Sequence, residues 1–370
     1  MRVGFYTHYL DIYPTSAPSI YQIKLIESLK KISKNINIEI ILIHHKKSNN
    51  KIYSENEEEI VPKFPILGEY YINKLHLDII HFNAIPWSWR IFVNRIKCKK
   101  VVTIHGDIWW VEPELGYNTT IEMLKRFIEP KVIKFLDRII AVSNSVKNTL
   151  VSHLKCPKEK IKVIYEGIDH SLFYIRTLEE INEIKLKYGI DKPYIYHISA
   201  YSKRKNPNAL FESFKRVKEE INEVKLVIAG KGWKERYEDK LDKYGLNRKD
   251  VKFLGWVNEE DLPALYTGSE IFFFPSFHEN FGFPILEAMA CGTPVVTSNK
   301  YAIPEVAGNA AILNDPYDYK GFATSIITLL KDEALKKRLI KRGIENVKRF
   351  SWDKCAYETY KLYMEVLEDE

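Results

Sequence analysis

Short apolar runs alternate along the chain with longer amphipathic segments. The first five runs cover residues 3–6, 38–43, 79–82, 101–104 and 139–142. The pattern then restarts with runs at residues 194–198, 225–229, 251–254, 271–274 and 294–297. Uninterrupted runs rich in isoleucine and valine are typical of parallel strands buried on both faces, and several of the segments between them are long enough for crossover helices. The sequence therefore predicts two doubly wound α/β domains.

A charged segment without the strand pattern separates the two sets of runs. It spans residues 175–192 and is followed by Pro193. Because it interrupts the alternation of strands and helices, it predicts the crossing from one domain to the other. We therefore place an N-terminal domain at residues 1–174 and a C-terminal domain at residues 175–351.

Composition and charge exclude several classes of function. The 370 residues, 45% of them hydrophobic, supply core material for two domains, and the net charge of +7 is mild for this length. No arginine-rich helix or RNA-binding aromatic motif accompanies that charge, so we expect no nucleic-acid partner. The four cysteines lie far apart, without a C-x-x-C pair or clustered histidines, so we expect no metal site.

The apolar segments of the chain indicate where in the cell the protein is expected. The N-terminal residues lead into an apolar run without the basic stretch and apolar core of a secretion signal, and no segment reaches about 18 uninterrupted apolar residues. We expect a cytoplasmic protein, or one bound peripherally at the inner face of a membrane. Trp87, Trp89 and Phe92 lie among basic residues, which is typical of a helix on an anionic membrane surface. An ordinary helix with its aromatic face in the core fits the same pattern.

The segment of residues 277–294 carries the most chemical information. Glu279 and Glu287 lie eight residues apart, around the turn Phe281-Gly282-Phe283-Pro284. An ionised carboxylate only accepts hydrogen bonds, so it suits the vicinal hydroxyls of a sugar ring. Gly282 permits close approach of the backbone to a ligand, and Pro284 fits the first position of a helix whose N-terminus favours phosphate oxygens. The spacing predicts two carboxylates aimed at one sugar nucleotide.

The wider segment of residues 269–308 resembles the donor-site signature of glycosyltransferase family 4, the retaining glycosyltransferases with the GT-B fold. This resemblance implies two Rossmann-like domains facing a central cleft, with the acceptor on the N-terminal side and the nucleotide sugar on the C-terminal side. It also implies that a C-terminal helix at residues 352–370 packs back on the N-terminal domain. The implied reaction moves a hexosyl unit from a nucleotide diphosphate sugar to an acceptor hydroxyl, with retention and without a metal or cofactor.

The resemblance also assigns roles to single residues. His105, Lys205 and Glu279 are implied as catalytic: His105 positions the reacting hexose, Lys205 meets the diphosphate and Glu279 orients the sugar. Glu287 is implied to hold the nucleotide ribose. Donor contacts are implied at Ser143, Gly230, Val257, Asn280, Phe281, Gly282, Phe283 and Glu287. Arg204, next to Lys205, is a further candidate donor contact.

Four positions, at three sites along the chain, depart from the family pattern. The family usually has a Gly-Gly pair in the first loop, on the acceptor side, where this chain has Ser16 and Ala17. The family often has a second diphosphate-binding arginine where Ala200 stands, and Arg204 is a candidate to compensate. Asparagine is common where this chain has Glu166. These departures leave open a non-catalytic subunit that binds sugar nucleotides, and a sugar-nucleotide epimerase on the same fold is a second alternative.

Other readings of the fold have less support. Residues 8–19 contain no glycine, so the first loop lacks the fingerprint of a dinucleotide-binding dehydrogenase.

The acceptor stays open among glycans, lipid-linked acceptors and small molecules. Trp109 and its neighbour Trp110 are candidates to line an acceptor cleft, because aromatic faces pack on sugar rings, or to fill a core.

Overall fold

The computed structural model describes residues 1–33, 36–46, 50–62, 65–84, 93–106 and 129–369. These residues form two compact units. The first contains Met1–Gly167 together with Ser351–Glu370, and the second contains Ile168–Phe350. Each unit is built around its own parallel β-sheet, so the predicted fold class is confirmed.

The sheet of the first unit has seven strands in the order β3-β2-β1-β4-β5-β6-β7. The strands are β1 (Arg2–Tyr6), β2 (Glu39–His44), β3 (Glu57–Ile60), β4 (Ile79–Phe82), β5 (Lys99–Ile104), β6 (Arg138–Ala141) and β7 (Ile161–Val163). Every neighbouring pair is parallel. The order reverses between β1 and β4, which creates the crevice where ligands bind in open α/β sheets.

Five described helices lie between the strands of this unit. They are α1 (His8–Ile12), α2 (Ala17–Ser33), α3 (Lys51–Ser54), α4 (Pro65–Lys74) and α5 (Asn144–Leu154). Leu25, Ile26 and Leu29 of α2 are fully buried at helical spacing. The face of α2 that carries them therefore lies in the core of the first unit.

The sheet of the second unit has six strands in the order β10-β9-β8-β11-β12-β13. The strands are β8 (Tyr194–Ile198), β9 (Lys225–Ala229), β10 (Val251–Gly255), β11 (Ile271–Phe274), β12 (Val295–Ser298) and β13 (Ala311–Asn314). Its order reverses between β8 and β11, as the first sheet does between β1 and β4. The two loops that follow β8 and β11 therefore leave from the same sheet edge, on either side of a crevice.

Eight described helices belong to the second unit. They are α6 (Leu178–Tyr188), α7 (Pro207–Glu220), α8 (Lys234–Tyr237), α9 (Leu262–Thr267), α10 (Phe283–Ala290), α11 (Ile303–Ala307), α12 (Tyr319–Lys331) and α13 (Glu333–Val347). Helix α6 begins at a capping box, in which Thr177 and Glu180 satisfy each other's backbone N–H groups. It ends at Gly189 in a left-handed conformation.

The last helix, α14 (Trp352–Glu368), belongs to the first unit and packs on α2. Ser351 caps its N-terminus by accepting a hydrogen bond from the Lys354 backbone N–H. A Cβ added at Gly167 would lie 2.2 Å from the backbone nitrogen of Trp352. Only glycine therefore fits where the chain passes so close to the start of α14.

All ten predicted strands are present, with ends within two residues of the predicted bounds. Three further strands, β3, β7 and β13, lie at sheet edges. An edge strand pairs on one side only, so its sequence is free to carry the charges that block pairing with another chain. The sequence of β3 is Glu-Glu-Glu-Ile, which has no apolar run to recognise.

Candidate active site

Two loops of the second unit meet at the switch point of its sheet. Strands β8 and β11 are direct neighbours, and both loops leave from their carboxyl ends. The loop after β8 contains a short 3-10 turn at Lys203–Lys205, and the loop after β11 contains Glu279. The topology alone thus brings residues 74 positions apart into contact.

Glu279 lies between two cations at this point. Its Oε1 is 2.7 Å from Lys205 Nζ, and its Oε2 is 2.7 Å from Arg204 Nη1. The side chains of Glu279 and Lys205 are about nine-tenths buried, whereas that of Arg204 is 28% exposed. Lys205 Nζ also lies 4.7 Å from the ring centre of Phe274, at the end of β11. One carboxylate and two cations leave a surplus positive charge at the sheet edge.

The two cations set the protonation of this cluster. Burial raises the pKa of a carboxyl group, but Arg204 and Lys205 outweigh it and hold the pKa of Glu279 at about 2. Burial lowers the pKa of Lys205 to about 8, although Glu279 opposes the shift. Glu279 is therefore an ionised acceptor at neutral pH, and Lys205 is a cation that loses its proton more readily than an ordinary lysine.

Asn206 fastens the basic loop to the rest of the second unit. It adopts a left-handed conformation with φ of 55° and caps α7 by accepting a hydrogen bond from the Ala209 backbone N–H. Its Nδ2 donates to the carbonyl oxygens of Pro275 and Pro316, at 3.1 and 2.7 Å. Because Asn206 is fully buried, these bonds fix the position of the neighbouring Lys205. The Asn-Pro pair is a helix-start signal, but its second role in holding the β11 loop left no trace in the sequence.

The turn after Glu279 leads into α10. Gly282 caps that helix with φ of 113°, a conformation in which a side chain is strained. The helix begins at Phe283, so Pro284 occupies the second helical position rather than the predicted first. The rings of Phe281 and Phe283 pack edge to face at 5.3 Å, and Asn280 Oδ1 lies 2.8 Å from His278 Nε2. The predicted loop and helix start are therefore present.

Glu287 occupies the fifth position of α10. Its Oε2 accepts a hydrogen bond of 2.7 Å from the Tyr266 hydroxyl. Burial raises the pKa of Glu287 to about 7, because one hydroxyl donor does not replace the hydration of a carboxylate. The two carboxylates therefore lie in opposite surroundings. Cations neutralise the charge of Glu279, whereas burial disfavours the charged form of Glu287.

Two other predicted positions of the second unit follow strand ends. Gly230 comes directly after β9, and a Cβ added there would lie 1.9 Å from the carbonyl oxygen of Ser199. Its φ of 111° also favours glycine, so the backbone contact itself explains the residue. Val257 is buried two residues after β10. Their contact with a nucleotide stays a prediction.

The first unit has its own cluster at the switch point between β1 and β4. His105 follows β5, and its Nδ1 lies 3.0 Å from Glu166 Oε1, while its Nε2 contacts Asn83 Oδ1. The ring of Tyr21 packs edge to face on His105 at 4.8 Å. Glu166 is 2% exposed and Asn83 is also 2% exposed. Sequence reasoning identified His105 but neither partner, since Glu166 registered only as a departure in a turn.

The remaining predicted residues of the first unit take structural positions. Ser143 caps α5 by accepting a hydrogen bond from the Val146 backbone N–H at 3.1 Å. The Ser16 hydroxyl donates to Ser19 Oγ at 3.0 Å, just before α2, and Ala17 is exposed as the first residue of that helix. Trp109 lies outside the described residues, as do Trp110 and the aromatic residues at 87, 89 and 92.

Two features absent from the described residues concern metals and membranes. Outside the gaps in the described ranges, no three histidine, cysteine, aspartate or glutamate side chains are placed to hold a metal ion. Within the same ranges, no helix has the length and apolar character needed to span a bilayer.

Comparison with known proteins finds glycosyltransferases along most of the chain. The model of the glycosyl transferases group 1 matches residues 180–346, and the model of glycosyltransferase family 4 matches residues 45–172. The chain is 32% identical over 272 residues to O-antigen chain mannosyltransferase B of Escherichia coli, which covers 72% of this chain and 70% of that protein. It is 31% identical over 306 residues to N-acetyl-alpha-D-glucosaminyl L-malate synthase of Bacillus anthracis, which covers 80% of this chain and 76% of that one.

A structural likeness covers the whole chain. HepE of Anabaena, solved in complex with UDP and glucose, matches 99% of this chain and 100% of its own with a TM-score of 0.78, at 18% sequence identity. That likeness shows the GT-B fold. The family models, and relatives that are more than 30% identical over more than two thirds of their length, establish that this chain belongs to glycosyltransferase family 4, the retaining enzymes that transfer sugars from nucleotide sugars.

Proposed function

We propose that this glycosyltransferase binds its nucleoside diphosphate hexose at the cluster of Arg204, Lys205 and Glu279 and transfers the hexosyl unit, with retention, to an acceptor hydroxyl. The observation that carries the proposal is the buried Glu279 held between two cations at a sheet switch point. Family membership supports the reaction class, and the complex of HepE with UDP and glucose supports the type of donor.

The two cations are suited to a departing diphosphate. Lys205 and Arg204 carry two positive charges against one negative charge on Glu279, so the cluster attracts a further anion. Arg204 is the more exposed cation and is free to share its guanidinium with phosphate oxygens, which it recognises in a bidentate manner. The buried Lys205 adds a fixed charge where negative charge develops as the bond to the sugar breaks.

The carboxylates are suited to hydroxyl groups. Glu279 stays ionised, so it accepts hydrogen bonds from sugar hydroxyls and orients the hexose for the reaction. Glu287 is assigned the ribose hydroxyls, for which its ionised form is the better acceptor. With a pKa of about 7, Glu287 loses its proton close to neutral pH, and ligand hydroxyls that donate to it favour that ionised form.

The proposed mechanism needs no covalent nucleophile from the protein. The leaving phosphate oxygen takes the proton of the acceptor hydroxyl on the same face of the sugar, which gives retention. Lys205 and Arg204 stabilise the diphosphate, Glu279 holds the oxocarbenium-like sugar, and His105 of the first unit positions the reacting hexose.

We further propose a glycan or lipid-linked acceptor and a cytoplasmic location, with peripheral contact at the inner face of a membrane as the alternative to a free cytoplasmic protein. The O-antigen mannosyltransferase of Escherichia coli supports a glycan acceptor through its name, whereas the Bacillus anthracis relative is named for a small acid, L-malate. Flotation with anionic liposomes at low salt tests the membrane position. Protein that stays at the bottom of the gradient contradicts it.

Donor binding tests the assignment of the cluster. We would titrate the purified protein with UDP-, GDP- and ADP-linked hexoses by calorimetry and repeat the best titration with Glu279→Gln. Loss of a hydrogen bond to a charged group predicts affinity about 10-fold weaker or more. Glu270→Gln is the matched control, because Glu270 pairs with Lys336 at 2.6 Å and lies before β11 rather than after it. Equal affinities in both variants would contradict the assignment of Glu279.

A further inference from the structure

His105 is hydrogen-bonded at both ring nitrogens. Nδ1 faces Glu166 Oε1 at 3.0 Å, and Nε2 faces Asn83 Oδ1. The His105 side chain is 14% exposed and that of Glu166 is 3% exposed. The ring is therefore held in one orientation by two buried partners, and a small part of the side chain is still exposed.

The partners determine which ring nitrogens carry hydrogen. A carboxylate only accepts, so Nδ1 must donate to Glu166. The Asn83 amide is oriented by its other end, where Nδ2 donates to the Pro18 carbonyl oxygen. This leaves Asn83 Oδ1, a second acceptor, against Nε2. All of these bonds are satisfied together only when both nitrogens of His105 carry hydrogen, as they do in the imidazolium ion.

The other titratable groups packed around the ring are uncharged at neutral pH. Tyr21 presents its ring edge to His105, and its hydroxyl lies 3.0 Å from Thr103 Oγ1, which in turn lies 2.8 Å from His81 Nε2. Burial, together with the charge of His105, lowers the pKa of His81 to about 3, so His81 stays neutral. Burial raises the pKa of the Cys355 thiol, which interacts with Glu166, so this thiol is also uncharged. Among these described residues, Glu166 is the carboxylate that faces His105.

The backbone makes Glu166 a rigid support. The adjacent Gly167 touches the start of α14, because a Cβ there would come within 2.2 Å of Trp352 nitrogen. Trp352 also packs edge to face on Tyr21 at 5.9 Å. The chain that carries Glu166 and the ring that supports His105 are therefore fixed by the same helix.

We propose that Glu166 is a positioning residue that holds His105 as a doubly protonated ring, with Asn83 occupying the place that a substrate oxygen takes during transfer. Charge-assisted donors bond oxygen acceptors more strongly than neutral ones, so a ligand oxygen, and above all an anionic one, gains by replacing the amide. Glu166 then acts through His105 without touching substrate. This inference rests on the proposed function for the role of His105 in the reaction, but the state of the ring stands independently of it.

The test begins with the state of the ring in the wild-type chain. The full-length protein is labelled with ¹⁵N-histidine, and the His105 signals are assigned by their loss in His105→Gln. At about pH 7.5 we expect both ring nitrogens of wild-type His105 to show the shifts of protonated nitrogen, and Glu166→Gln to show one unprotonated nitrogen. A neutral His105 ring in the wild-type protein overturns the proposal without recourse to any variant.

Kinetics then test the positioning role. With the preferred donor, we expect Glu166→Gln to lower kcat about 10-fold or more with little change in KM, and the loss to deepen as the pH rises. Glu159→Gln, at a carboxylate outside the cluster, is the matched control and should match wild type. An unchanged kcat and pH profile in Glu166→Gln overturns the role. If the ring signals behave as expected but no donor is turned over, the proposed function fails and the ring assignment stands.

Discussion

Replacement of Glu287 by glutamine is expected to stabilise the fold while weakening donor binding. Burial raises the pKa of Glu287 from 4.5 to about 7, so the ionised carboxylate is disfavoured in the folded chain. A difference of about 2.5 units, at about 1.4 kcal/mol per unit, sets an upper limit of about 3 kcal/mol on this cost. A neutral amide loses some strength in the bond from Tyr266, so we expect a net gain of about 1–2 kcal/mol.

The pH dependence fixes the sign of this effect. Folded Glu287 keeps its proton up to about pH 7, whereas the unfolded side chain releases its proton near 4.5. The wild-type protein therefore loses stability as the pH rises from about 4.5 to about 7, and Glu287→Gln does not. The gain in the variant should be full at about pH 8 and absent below about pH 4.5.

Thermal unfolding at several pH values measures the prediction. For a unit of this size, a gain of about 1–2 kcal/mol raises Tm by roughly 2–8 °C at about pH 8. Glu260→Gln, at an exposed carboxylate, is the control and should leave Tm nearly unchanged. A Tm for Glu287→Gln that equals or falls below the wild-type value at about pH 8, or a gain that persists at acidic pH, would refute the reasoning. Donor affinity should fall in the same variant if Glu287 binds the ribose.

Three further predictions follow from single contacts. Donor affinity should decline above about pH 8 as Lys205 loses its proton, and Lys205→Arg should remove this decline; a flat wild-type profile would contradict the role of Lys205. Gly230→Ala should lower the free energy of unfolding by about 3 kcal/mol or more, measured in urea, because its Cβ collides with the Ser199 carbonyl; a cost within about 0.5 kcal/mol would contradict the contact. Ser143→Ala should lower the free energy of unfolding by about 1 kcal/mol, because the cap to Val146 is lost. A fall in donor affinity in the same variant would show that Ser143 has a second role in binding the donor.

Strand positions were predictable because parallel central strands are buried on both faces. The runs at residues 79–82 and 271–274 match the observed strands at both ends. The edge strand β3 was missed because three consecutive glutamates give no apolar signal. The family and the class of reaction, inferred from a segment of 40 residues around Glu279 and Glu287, are confirmed along most of the chain.

The site was predictable residue by residue but not contact by contact. The sequence indicated Glu279 and Lys205 separately, yet their ion pair depends on two loops brought together by sheet order. Arg204 was a candidate donor contact beside Lys205, but only the structure shows it on the second oxygen of Glu279. In the sequence, Glu166 registered only as a departure within a turn. Its pairing with His105 joins residues 61 positions apart, so nothing in the sequence indicated the contact.

Donor turnover by the purified protein tests the central claim most directly. We would measure hexose release from the preferred UDP-, GDP- or ADP-linked hexose by wild-type protein, Lys205→Met and the control Lys336→Met, whose lysine pairs with Glu270. The account predicts turnover in the wild type and in the control, and a loss of about 100-fold or more in kcat for Lys205→Met. Equal turnover in Lys205→Met and wild type would contradict the claim that this cluster stabilises the departing diphosphate.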